Sequence, residues 1–294
     1  MKLLLAFLLV NLFLINDPFA QTIYVAPNGS DQNPGTAEQP LATLTAARDR
    51  IRLLRKQNPS AQHAWQVIIR RGEYIMPETL NLSVDDSGTE TSPLLFKGEE
   101  GAMPVFYGGF FLNKFERISD SLWKTDVPQV RRYGWRFEQL YVNGSRAIRA
   151  QSPNVGFYKP VSVKETVIVN GDGRAPELAV QQIKIPAEAA NRIKNLNEED
   201  LKDAVITFYH HWDNTKKPVQ FYNAADTSIY ISGEGMKPWN PVTTASLFAI
   251  ENVSSALDAP GEWFLESSGT LYYYPKPGET IETTTAMAPA LDKF

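Results

Sequence analysis

The stretch YHHWDN, Tyr209 to Asn214, gathers the side chains best suited to chemistry, with His210, His211, Trp212 and Asp213 in a row. An imidazole can hydrogen-bond hydroxyls, an indole can stack on the apolar face of a sugar ring, and a carboxylate can accept from either. In an extended strand, successive side chains alternate, so His210 and Trp212 share one face and His211 and Asp213 share the other. His210 and Trp212 are therefore the candidate substrate-binding residues. No metal is expected here. His211 and Asp213 give two ligands, zinc normally takes three or more from protein, and no neighbour supplies the third.

The other acidic clusters are Asp85-Asp86, Glu99-Glu100 and Glu198-Glu199-Asp200. Cleaving a glycosidic bond needs two carboxyl groups across it, ~5–5.5 Å apart for retention or ~6.5–9.5 Å for inversion. These clusters fall in turns or at a helix start, where carboxylates stabilise caps and turns, so a structural role is expected for them. The chain lacks a GxSxG elbow, a phosphate loop and an HExxH pair. With no Cys there is no thiol nucleophile and no disulfide. No cofactor is expected.

RFEQLYVNGSRAIRAQSPN, Arg136 to Asn154, carries Arg136, Arg146 and Arg149 around an Asn143-Gly144 hairpin signal. A two-residue type I′ turn at Asn143-Gly144 sets Val142 opposite Ser145, Tyr141 opposite Arg146, Leu140 opposite Ala147, Gln139 opposite Ile148 and Glu138 opposite Arg149. That register predicts a Glu138–Arg149 ion pair, with Arg146 packed beside Tyr141. The arginines then read as scaffold and not as an anion site.

The elements that must hold these residues follow from pattern. The first twenty residues, MKLLLAFLLVNLFLINDPFA, have a basic start, an apolar run, a helix breaker and a small final residue, the layout of an export leader cut after Ala20. The apolar run is shorter than the ~20 residues of a spanning helix. A secreted or periplasmic protein with no membrane partner is expected. Nucleic acid is not an expected partner either, because the formal net charge is -4.

After a short strand at Thr22 to Ala26, Leu41, Leu44, Ala47, Ile51 and Leu54 recur at helical spacing, up to a stop at Asn58-Pro59. Arg48, Arg50, Arg52, Arg55 and Lys56 mostly take the opposite face, expected to be solvated. Leu80 and Leu82 alternate before a turn at Asp85 to Gly88. Val67-Ile68-Ile69, Leu94-Leu95-Phe96 and Val105-Phe106 are short continuous apolar runs closed by glycines. Such runs read as strands buried on both faces and paired in parallel. Loops join them with no room for crossover helices, the pattern of a coiled β-solenoid capped by the opening helix. From Phe110 to about Pro277 the pattern turns antiparallel. EWFLESSGTLYYYPKPGE reads as a hairpin, strands flank a turn at Asp213-Asn214-Thr215, and Asn197 caps a short helix before Glu198.

YVAPNGSDQNPGTAEQPLATLTAARDRIR resembles the entry segment and capping helix of bacterial right-handed parallel β-helix proteins of the pectate-lyase-like superfamily. FEQLYVNGSRAIRAQSPN and LDAPGEWFLESSGTLYYYPKPGE together resemble glycoside hydrolase family 141 and its close relatives. The resemblance implies a mainly β fold: the start of a right-handed parallel β-helix with an N-terminal capping helix, interrupted by an antiparallel β insertion domain. The implied division is a leader over 1–20, cap and first coils over 21–109, insertion domain over 110–278, and a return to the solenoid over 279–294. It further implies a secreted enzyme acting on plant cell-wall polysaccharide, fucosidase- or xylanase-like, with polysaccharide or oligosaccharide as partner. The catalytic carboxylates are expected beyond residue 294, so this chain is expected to be the N-terminal portion of a larger solenoid and inactive alone. Two alternatives stand beside this: a polysaccharide lyase of the same superfamily, and a non-catalytic glycan-binding or surface protein.

Overall fold

The computed structural model describes residues 20–58, 64–90, 92–112 and 114–291. The export leader read over 1–20 lies outside the described residues apart from Ala20, as does Pro59 of the helix stop. The chain is mainly β and divides into two compact units, 1–109 with 291–294, and 110–290.

In the first unit, strands Ala20–Val25, Ala64–Ile69 and Leu94–Gly98 form a parallel sheet in that order, and Glu73–Ile75 pairs in parallel with Val105–Tyr107. The helix Leu44–Gln57 lies in sequence between the first two strands. Thr43 caps it, its Oγ1 accepting from Ala46 N at 3.0 Å. Ala47 and Ile51 of the helix join Ile23, Val25, Leu41, Trp65, Val67 and Ile69 in one core. Only the central strand is buried nearly throughout. Leu95 and Val105 are exposed, against the expectation of burial on both faces, because their strands lie at sheet edges with one face uncovered.

Two further expectations fail together. Leu80 and Leu82 lie in irregular chain, not in a strand, and the arginine face of the helix is not simply solvated. The Arg48 guanidinium donates to Asn81 O at 2.8 Å, Arg50 to Asn33 O at 2.9 Å and Arg55 to Asp85 O at 3.1 Å. Loop carbonyls with no ladder partner need donors from elsewhere, and the helix arginines supply them. Arg52 grips Asp86, Nε to Oδ1 at 2.8 Å, while Ser83 and Asp86 form a capping box on the 3-10 turn Val84–Asp86. The Asp86 carboxylate is thus structural, while Asp85 contributes its main-chain O to Arg55.

Among the described residues, the second unit holds four sheets over two cores. Trp123, Phe137, Leu140, Val142, Trp263, Leu271 and Tyr273 belong to one core. Ile183, Ile206, Phe208, Ile229, Phe248 and Ile250 belong to the other. The EWFLESSGTLYYYP hairpin pairs Trp263 with Tyr273 and Leu265 with Leu271, in antiparallel register. Asn197 caps the helix Glu198–Asp203 by accepting from Asp200 N at 2.8 Å.

The Asn143-Gly144 turn forms, with φ of 50° and 76°, and sets Val142 opposite Ser145 and Tyr141 opposite Arg146. Beyond Ala147 the predicted register ends. Ile148–Arg149 leaves its sister arm and pairs in parallel with Glu262 and Trp263. Gln151–Ser152 then enters a third sheet, antiparallel to Glu251 and Ile250. The arm crosses from sheet to sheet at Ala147 and Ala150, both buried, where a larger side chain would collide with the packed layers. The Glu138–Arg149 ion pair is therefore absent. Glu138 instead accepts from Lys216 Nζ at 3.0 Å, and the Arg149 guanidinium lies 5.6 Å over the Trp263 ring.

Candidate functional site

Strand Val205–Tyr209 pairs antiparallel with Asn214–Pro218, Tyr209 facing Asn214. The loop is therefore His210 to Asp213, and the turn falls earlier in the sequence than Asp213-Asn214-Thr215. His210 and Trp212 do not share a strand face, because neither is in a strand. The loop closes where His210 N donates to Asp213 O at 2.9 Å.

Its four side chains go separate ways. Trp212 is 67% exposed, its ring centroid 6.1 Å from that of exposed His211. His210 turns inward. Its Nε2 lies 3.0 Å from Thr215 Oγ1, while its buried Nδ1 has no partner among the described residues. Burial pushes the imidazole pKa below its ordinary value, against the pull of Asp213, so His210 is neutral at pH 7. Asp213 accepts from Lys237 Nζ at 2.7 Å and from Asn240 Nδ2 at 2.6 Å. The Lys237 hydrogen bond, first among several causes, holds this carboxyl below the usual carboxylate range. A carboxylate held ionised and fully engaged orients donors and is a poor proton donor.

The partners of Asp213 come from a tight turn, Lys237-Pro238-Trp239-Asn240. Asn240 N donates to Lys237 O at 2.9 Å, with Pro238 at the second position, where its fixed φ favours the turn. The turn sends Lys237 and Asn240 to Asp213 and leaves Trp239 52% exposed. Two cavities flank this junction. One, of about 300 Å³, is lined by His210, Asp213, Lys217, Lys237 and Asn240 over Phe208. The other, of about 330 Å³, is lined by Tyr209, His210, His211, Trp239 and Asn240. His210 and Asn240 border both.

Of the two residues predicted from sequence, His210 lines both cavities and Trp212 lines neither. Trp239 escaped the sequence reading. Its signal was the K-P-W-N run, in which a proline-led turn keeps the indole out of a strand and so out of a sheet core. An indole wall, a neutral imidazole and a side-chain amide suit a hydroxyl-rich ring, with stacking on its apolar face and hydrogen bonds at its edge. Among the described residues, no group of three or more His, Asp or Glu is placed to hold a metal ion.

A family model for the GH141 insertion domain matches residues 120–276, just over half of the chain. The chain is 35% identical over 108 residues to the uncharacterized protein YwoF of Bacillus subtilis, an overlap of 37% of this chain and 19% of that protein. It is 26% identical over 150 residues to pectate lyase PEL9 of Emericella nidulans, covering 49% and 33%. It is also similar to a solved structure titled a glycoside hydrolase, at 26% identity and a TM-score of 0.74, over 92% of this chain and 46% of that one. The chain thus spans at most a third of these two curated relatives and under half of the solved chain.

Proposed function

The chain belongs to the GH141 insertion-domain family, and from that premise we propose that it is part of an exported protein acting on plant cell-wall polysaccharide, fucosidase- or xylanase-like. The likeness of 92% of the chain to a glycoside hydrolase is the observation that carries this reading. In it, the parallel strands of the first unit begin a right-handed β-helix, and the antiparallel unit meets the glycan at His210 and Trp239, with Trp212 as an outlying contact. Asp213, committed to Lys237 and Asn240, is not one of the hydrolytic carboxylates in this reading.

That commitment also favours a second reading, in which this chain binds glycan without cleaving it. Incubation of the purified chain with arabinoxylan and with fucosylated pectin, scored both for pull-down and for released sugar, tests both readings. Binding without release is expected under either, because the chain is expected to be inactive alone. Sugar release would overturn that expectation together with the non-catalytic reading, and absence of binding would overturn both readings.

A further inference from the structure

The arm that departs from its hairpin register brings Arg146 and Arg149 into one open cleft of about 410 Å³, lined also by Glu138, Tyr209, Lys216 and Glu251. In a straight strand, residues three apart would face opposite sides. The switch of sheet at Ala147 is what turns both arginines the same way.

The charges in this cleft are unevenly matched. Lys216 Nζ lies 3.0 Å from Glu138 and 3.9 Å from Glu251. Glu251 also accepts from Thr207 Oγ1 at 2.6 Å. Both carboxylates are thus engaged by a cation that is not an arginine. Among the described residues, no direct ion pair or hydrogen bond ties Arg146 or Arg149 to a carboxylate; Glu251 and Glu138 act on Arg149 from beyond ion-pair distance, and the Arg149 Nε is buried with no hydrogen-bond partner. Burial lowers the Arg149 pKa, though a guanidinium remains protonated at any physiological pH. The Trp263 ring beneath it holds the guanidinium in place and gives it no acceptor. A part-buried cation that no carboxylate touches can take an anion directly, and a guanidinium meets a carboxylate with two parallel donors. Tyr209, Gln151 and Asn214 line the same cleft and offer neutral partners for hydroxyls.

We propose that this cleft is a binding subsite for a carboxylate-bearing sugar, a uronic acid residue of the glycan, held by Arg149 and Arg146. The inference rests on the glycan-binding reading and narrows it to acidic polysaccharide at this position. The cleft is distinct from the Trp239 cavity, sharing only Tyr209 with it.

Calorimetric titration with trigalacturonate, and with its carboxyl-reduced counterpart α-1,4-galactotriose, tests the assignment on the chain as it stands. Trigalacturonate is expected to bind at least tenfold more tightly than galactotriose. Arg146→Gln and Arg149→Gln should each remove at least tenfold of that affinity. Arg146 is exposed, so Arg146→Gln remains folded and readable even if Arg149→Gln does not. Equal binding of acid and neutral trisaccharide, or trigalacturonate affinity indifferent to Arg146→Gln, overturns the assignment while leaving glycan binding in place. Failure of both trisaccharides and of xylotriose to bind overturns the assignment together with the reading beneath it.

Discussion

Asn252 and Leu265 exchange two hydrogen bonds: Leu265 N donates to Asn252 Oδ1 at 2.9 Å, and Asn252 Nδ2 donates to Leu265 O at 2.8 Å. The side-chain amide stands in for a neighbouring strand where the sheet ends. The same Nδ2 reaches Asp203 O at 2.9 Å, and Asn252 N donates to Ala150 O at 2.7 Å. One residue thus ties three segments together. Its φ of 58° falls in the left-handed region that Asn tolerates better than most residues.

Asn252→Ala should therefore be among the most damaging polar changes in the second unit. It strands the buried N–H and C=O of Leu265 at ~1–3 kcal/mol per group, for a total of about 3 kcal/mol. Urea denaturation followed by tryptophan fluorescence measures it. A loss below about 0.5 kcal/mol would show that water takes over both groups.

The Arg52–Asp86 pair should make the first unit acid-sensitive. Asp86 is held at about 2 chiefly by the Arg52 hydrogen bond, against an ordinary 3.8. A carboxylate with a depressed folded-state pKa stabilises fully above its unfolded value, and that share is lost as pH falls from about 4 towards 2. Asp86→Asn should cost about 1–2 kcal/mol at pH 7, reduced by the partial exposure of Arg52, and nearly nothing at pH 2. An equal penalty at both pH values would contradict the pairing.

His210 should titrate below its ordinary 6.5, because burial disfavours the imidazolium. The unfolded chain then binds more protons than the folded one as pH falls through 6.5, so stability is full above that pH and declines below it. Nuclear magnetic resonance titration of the His210 ring reads this directly, and a midpoint at or above 6.5 would refute it.

Trp239→Ala should weaken neutral-oligosaccharide binding by about 1–2 kcal/mol, roughly tenfold, through loss of the stacking wall. Trp212→Ala should weaken it much less, since that indole lines neither cavity. The pair of affinities checks the placement, and the reverse order would restore the strand reading of YHHWDN.

Local signals in the sequence were reliable where one physical cause dominates. The Leu44–Leu54 periodicity made a helix, though Leu41 precedes its cap and bridges to Val25; Asn143-Gly144 made a turn, Asn197 made a cap, and Trp263 met Tyr273 across its hairpin. Of the candidate site, His210 and Trp212 could be named because an imidazole beside an indole is conspicuous. The cavity that adds Trp239 as a candidate depends on a turn that lies distant in sequence and meets Asp213 only in the folded chain.

The arginine-bearing arm marks the boundary most clearly. By itself, the sequence determined the turn at Asn143-Gly144, the first pairs beyond it and the kind of chain this is, since each rests on contacts between near neighbours or on motifs intact within a few residues. Only the tertiary structure decided that the arm abandons its hairpin after Ala147, that Lys216 takes Glu138, and that Arg149 is left over Trp263 facing a cleft. Both pairings for Ile148 and Arg149 are locally sound. The choice between them was made by the packing of Trp263 and the layers around Ala147 and Ala150, which no local pattern encodes.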